Sequence, residues 1–186
     1  MLLKEMFKES MPVILLCGIG ELLASSMLIT FYPSFLTVPG LIVMIPAIIG
    51  LRGNVSGALG SRLGSAVHLG LIREGEVWND ESSRSICGSL VLSLSMSILA
   101  ALLAFFVEVI TRKAGSFDLF KLILIASLTG VIAGLILGGL TLLIILLSFR
   151  HGYDPDNVIT PGLTTIGDIF TVAILFLTAY GVEVIW

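Results

Sequence analysis

The sequence predicts an all-α integral membrane protein of five transmembrane helices, N-terminus inside and C-terminus outside. Three observations carry that expectation. Of the 186 residues, 56% are hydrophobic and only 12% charged, against about 25% charged in soluble domains. The apolar residues gather into runs of the length a bilayer demands, about 20 residues for a hydrocarbon core of about 30 Å. The ten lysines and arginines divide unevenly between the two sides that those runs define.

Four runs meet the length test outright: residues 11–31, 86–107, 119–149 and 161–184. A fifth, 36–52, is shorter and carries Pro39 and Pro46, but the sparsely charged stretch that follows is expected to prolong the same helix towards the cytoplasm. With the N-terminus inside, Lys4, Lys8, Arg52, Arg62, Arg73, Arg84 and Arg150 are cytoplasmic, and Arg112, Lys113 and Lys121 are outside. Seven against three favours this orientation. It makes the Tyr32-Pro33-Ser34 turn and the 112–118 loop external, and the 52–85 and 150–160 connections cytoplasmic. The longest polar stretch is only a loop, so residues 1–186 read as a single membrane domain without cytoplasmic sensor domains. The first run is too long for a signal-peptide core and lacks a clear cleavage site.

Composition also excludes function classes. A net charge of −3 with scattered basic residues offers no nucleic-acid surface. Cys17 and Cys87 lack CxxC spacing and are expected to be small packing residues. His68 and His151 have no metal-ligand partner at useful spacing and read as interfacial or solvated.

Asp168 is the residue that most needs a reason. It lies in a run otherwise free of charge until Glu183, and a carboxylate at mid-helix costs about 2.5–3.5 kcal/mol on insertion scales. Thr164, Asp168, Thr171 and Thr178 follow at steps of four, three and seven, which keeps them on one helical face. Hydroxyls beside a carboxylate suit a hard cation or its hydration shell, so the stripe is expected to line a pore; the alternative is hydroxyls bonded to their own helix and Asp168 paired with a polar neighbour. At 1.5 Å per residue, Asp168 lies about 10 Å from Pro161, in the cytoplasmic half of the membrane. Glu21, ten residues into the first run, either lines the same cavity or sits protonated in a hydrogen bond. The connector Asp154-Pro155-Asp156-Asn157 forms either an acidic vestibule or a solvated turn.

Glycines supply the helix contacts. Gly53/Gly57 and Gly60/Gly64, just after the second run, give surfaces of small-xxx-small type, and Asn54 among them is an amide that needs partners and offers a ligand oxygen. Gly130, Gly134 and Gly138 form a tandem GxxxG on the fourth span, and Ser89, Ser93 and Ser97 share a face of the third. Both are expected to be packing devices.

Taken together, Gly50-Leu51-Arg52-Gly53-Asn54, Ser61-Arg62-Leu63, Asp154-Pro155-Asp156-Asn157 and Pro161-x-x-Thr164-Thr165-x-Gly167-Asp168 resemble the membrane domain of MgtE-type magnesium transporters, in the version found in archaea and in eukaryotic solute carriers. The resemblance covers nearly the whole chain. It implies a homodimer in the membrane lipid, with the pathway for Mg2+ or another divalent cation between two five-helix units, and no enzymatic activity or cofactor. It matches Asp168 to the family's pore aspartate, Thr164 to the carbonyl one turn earlier that helps hold the hydrated ion, and Asn54 to the motif asparagine. Glu21, Asp154, Asp156, Asn157, Thr165 and Thr171 are the further pathway or vestibule residues. Two other functions compete: a membrane adaptor binding partner helices through its glycine faces, and an intramembrane aspartyl protease. The second needs two aspartates and a GxGD pattern, but Thr165 stands where that glycine belongs.

Overall fold

The structure, a computed structural model, describes residues 2–72, 78–112, 119–150 and 155–185. Among them are five helices: α1 (Leu2–Phe35), α2 (Leu41–His68), α3 (Asp80–Arg112), α4 (Leu119–Arg150) and α5 (Pro155–Ile185). All five are long and apolar enough to cross a membrane, and the expected spans fall within them, save that the second starts five residues later than expected.

The boundaries differ from expectation where local chemistry decides them. Pro33 does not open a turn; α1 runs through it to Phe35. The reversal comes at Gly40, whose φ of 81° is a left-handed conformation that glycine adopts without strain. At the other end of α2 a second left-handed glycine, Gly70, closes the helix, with the Leu71 N–H donating to Ala66 O at 2.9 Å. Helix α5 begins at Pro155, not Pro161, so Asp156 and Asn157 stand in its first turn and are not a loop. Proline suits that opening position because its missing N–H is not needed there. Asp154 and His151 lie outside the described residues, as does the start of the connector.

Helices α2, α3, α4 and α5 form the bundle, and α1 lies against α5 on its outside. The core is divided in two. One cluster holds Leu41, Met44 and Ile48 of α2 with Ala101, Leu122, Ile125 and Leu175. The other, at the opposite end, holds Leu59 and Leu63 with Ile86, Ile145 and Leu163. Between them on every bundle helix lies a layer of small and polar side chains, among them Arg52, Ser93, Thr129 and Thr171.

The glycine faces close the α3–α4 seam as expected. A Cβ on Gly130 would run into the Ser97 side chain and come within 3.3 Å of Ser93 O, and one on Gly134 would meet Leu90 at 2.8 Å. By contrast Gly50 and Gly57 of α2, exposed and half-buried, have nothing within 4 Å of such an atom, so that stripe has no neighbour among the described residues of one chain. Cys87 is exposed on α3, contrary to its expected packing role, and Cys17 is half-buried.

Gly130→Ala is expected to lower stability by about 1–3 kcal/mol through overpacking, whereas Gly139→Ala, with open space around it, is expected to leave it unchanged. Thermal unfolding of the two variants in one detergent checks this; equal midpoints would contradict the close seam.

Candidate functional site

The site is built on the turn of α5 that carries Thr164, Thr165 and Asp168. On one side α1 crosses it at Gly20, where a Cβ would collide with Thr165 Cγ2. Further along, Phe31 stacks on Phe176 with ring centroids 4.0 Å apart and planes within 9°. The two contacts share the same offset in numbering, so α1 and α5 run parallel and in register. On the other side α2 approaches at Gly53, where a Cβ would lie 3.8 Å from Thr164 Cγ2. Gly167 faces the third neighbour, with Leu137 of α4 3.5 Å from its would-be Cβ.

This register sets Glu21 of α1 beside Asp168, with the two carboxyls within hydrogen-bonding reach of each other. Both side chains are half-buried, as is Thr164, while Thr165 is buried. Asn54 is exposed on α2 next to the Gly53 crossing. Five residues picked out in the sequence, Glu21, Asn54, Thr164, Thr165 and Asp168, therefore belong to three helices that meet at one level. A carboxyl pair of this kind holds a proton between its oxygens or accepts a cation in its place. Among the described residues no group of three or more His, Cys, Asp or Glu converges to cage a metal ion.

The threonine stripe does not present one continuous face. Thr171 is wholly buried, with no hydrogen-bond partner for its hydroxyl among the described residues. Thr178 is turned to α4, its hydroxyl 2.8 Å from that of Thr129. Only the Thr164–Asp168 end reaches the half-exposed surface. A straight α-helix advances 100° per residue, so steps of four, three and seven drift around its axis, and a drift of this size divides the stripe between bundle and surface.

Two buried ionisable residues were not assigned to the interior. Arg52 was expected at the cytoplasmic boundary but is 3% exposed in mid-bundle. Its Nη1 donates to Ser93 Oγ and, at 2.7 Å, to Gly130 O. The Ser93 hydroxyl also donates to Gly130 O at 2.8 Å, so three helices share one knot. With Arg52 inside, the basic count becomes six against three. The serine stripe and the GxxxG face were the available signal, since together they leave an acceptor-lined slot opposite α2. Glu108 of α3, 2% exposed, lines a small cavity of about 150 Å³ under the α1–α2 turn. His68 is exposed, as expected.

With this geometry in hand, comparison with known proteins is informative. The MgtE family model, described as a divalent cation transporter, matches residues 45–178. The chain belongs to the MgtE family. It is similar to solute carrier family 41 member 3 of Rattus norvegicus, with 30% identity over 169 residues, 88% of this chain and 36% of that protein. It is 33% identical to solute carrier family 41 member 2 of Gallus gallus and of Homo sapiens, over 87% of this chain and 29% of each relative. The chain thus spans about a third of the length of the curated relatives it matches. No solved structure matches. MgtE membership and five span-length helices make this a multi-pass integral membrane protein, and the family is one of transporters, not enzymes.

Arg52 lies within a bundle where its hydrogen-bond partners among the described residues, Ser93 and Gly130, are neutral, so no anion among them offsets the desolvation of its charge. Arg52→Met is expected to keep or raise the unfolding midpoint, because Ser93 and Gly130 stay bonded to each other. Arg52→Ala is expected to lower it by about 2–5 kcal/mol through the cavity it leaves. Chemical or thermal unfolding of the two variants distinguishes them, and a large loss in the methionine variant would contradict this account of Arg52.

Proposed function

We propose that the chain moves a divalent cation, Mg2+ foremost, across the membrane as a homodimer, with Asp168 and Glu21 forming the intramembrane ion site. The observation that carries the reading is the meeting of these two carboxyls across the α1–α5 crossing, half-buried beside the Thr164 turn. Such groups within a bilayer face a bundle interior or a water-filled cavity, not lipid. In a single chain they reach the surface, next to the α2 stripe of Gly50, Asn54 and Gly57 that has no neighbour. A second copy set against this face encloses both.

Few protein oxygens are needed if the ion keeps its water. Mg2+ dehydrates reluctantly and binds through one or two carboxylates with several waters retained, whereas Ca2+ takes six to eight oxygens. Two carboxyls per copy with the Thr164 carbonyl and the Asn54 amide suit the hydrated ion. Two copies facing one axis bring like charges together and gain most from a divalent cation between them. Asp154 precedes α5, Asp156 and Asn157 stand in its first turn, and together they form the acidic mouth that concentrates cations, on the cytoplasmic side in the N-in orientation. Thr165, packed at the Gly20 crossing, holds α1 in register.

Cation uptake into liposomes holding the purified protein tests the reading. Asp168→Asn is expected to cut Mg2+ flux at least about tenfold, since a lost charged contact is worth about 1.5–3 kcal/mol. Glu21→Gln is expected to reduce it less. Full flux in the Asp168 variant would sink the proposed site, and light scattering that gave the mass of one 19.8 kDa chain in active preparations would sink the dimer.

A further inference from the structure

At the end of the bundle where α2 finishes and α3 begins, a cleft of about 470 Å³ opens between the two helices, remote from Asp168 in the fold. Its frame is fixed by hydrogen bonds. The Asn79 side chain accepts the N–H groups of Glu81 and Ser82 at 3.1 and 3.0 Å, capping α3. The same side chain donates to Leu71 O at 2.6 Å, which ties the start of α3 to the end of α2.

Two guanidiniums enter this frame, Arg62 from α2 and Arg84 from α3, together with the hydroxyls of Ser61 and Ser65. Both arginines are exposed, and among the described residues neither has a hydrogen bond or ion pair. Among the described residues that line the cleft, Glu81 is the one acid beside the two guanidiniums. Paired guanidiniums with hydroxyl donors match the oxygens of a phosphate group, which arginine binds in bidentate fashion.

The position says which phosphate. Helix α2 has 28 residues, about 42 Å at 1.5 Å each, so its last turns stand beyond a hydrocarbon core of about 30 Å, in the headgroup layer. Around the cleft, Leu69, Leu71 and Trp78 are 75%, 54% and 70% exposed. Apolar side chains at that depth lie against acyl chains, and tryptophan favours the interface.

We propose that this cleft binds the phosphate of an anionic phospholipid, with Arg62 and Arg84 as its ligands. Native mass spectrometry of the full chain in detergent, titrated with phosphatidylglycerol against phosphatidylcholine, reads the site directly. The expected result is one phosphatidylglycerol retained per chain in preference to phosphatidylcholine. At about 1 kcal/mol per basic residue near the headgroups, Arg62→Gln or Arg84→Gln weakens retention about fivefold and the double variant about thirtyfold. Glu81→Gln strengthens it by removing the opposing charge. Because the substituted side chains are exposed, helical content and unfolding midpoint in phosphatidylcholine stay unchanged. Equal retention of both lipids, or of phosphatidylglycerol by wild type and double variant, overturns the proposal. Displacement of the lipid by millimolar inorganic phosphate at matched concentration overturns the lipid source. The Asp168→Asn variant retains the lipid whatever its transport activity, so this site and the ion site stand or fall separately.

Discussion

Ionisable side chains at mid-membrane depth must find partners within the protein, and this requirement organises the rest of the fold. The bundle has two apolar clusters, one towards each end, and between them lies a polar layer that includes Arg52, Ser93, Thr129 and Thr171. Two arrangements satisfy the layer. Arg52 joins α2 to α3 and α4 through Ser93 and Gly130 O, and Glu21 meets Asp168 where α1 crosses α5. In a medium that offers no water, each depends on backbones approaching closely enough for short side chains to touch.

Small residues make that approach possible. Gly20 lets α1 lie on Thr165, Gly53 admits Thr164 to α2, and Gly130 and Gly134 seat α4 on the serine face of α3. A methyl group at Gly20, Gly130 or Gly134 would clash and push its crossing open, whereas one at Gly53 would make ordinary contact with Thr164. The glycines thus act on the polar layer through geometry, not through any chemistry of their own. The unpartnered α2 stripe is the exception, and it borders the same turn of α5 that holds the acid pair.

Much of this was legible from residue order. Five spans followed from apolar run length, and the α3–α4 seam followed from serine and glycine repeats that only close packing explains. Asp168 stood out because nothing local neutralises it. Its partner Glu21 was visible as a second acid, but their meeting depends on the parallel register of α1 and α5, which no local pattern encodes. Arg52 was misplaced for a definite reason: it ends the apolar run of 36–51, and hydropathy assigns a charge at a run's end to the boundary. Helix α2 continues for four more turns beyond it, which carries the guanidinium into the middle of the bundle. The threonine stripe failed on helical drift, because Thr171 and Thr178 fall on the bundle side of α5 and only Thr164 remains with Asp168.

The two polar arrangements also differ in mechanical consequence. Arg52 binds one serine hydroxyl and one backbone carbonyl from two different helices, so shifting α2, α3 or α4 alone breaks charge-assisted bonds in a place without water to replace them. Helix α1 is tied to this layer more loosely, through the Glu21–Asp168 contact with one neighbouring helix. It packs chiefly against α5, through Gly20 and the Phe31–Phe176 stack, and much of its apolar surface, including Ile14, Leu15 and Leu22, faces outward. Sliding α1 along α5 exchanges one apolar surface for another and costs little beyond the stack, the Gly20 contact and the Glu21–Asp168 contact itself. The separation of Glu21 from Asp168 is therefore the softest distance in the polar layer, and the Arg52 knot the hardest. A cation that entered between the two carboxyls would part them at the soft contact while the four-helix scaffold held still.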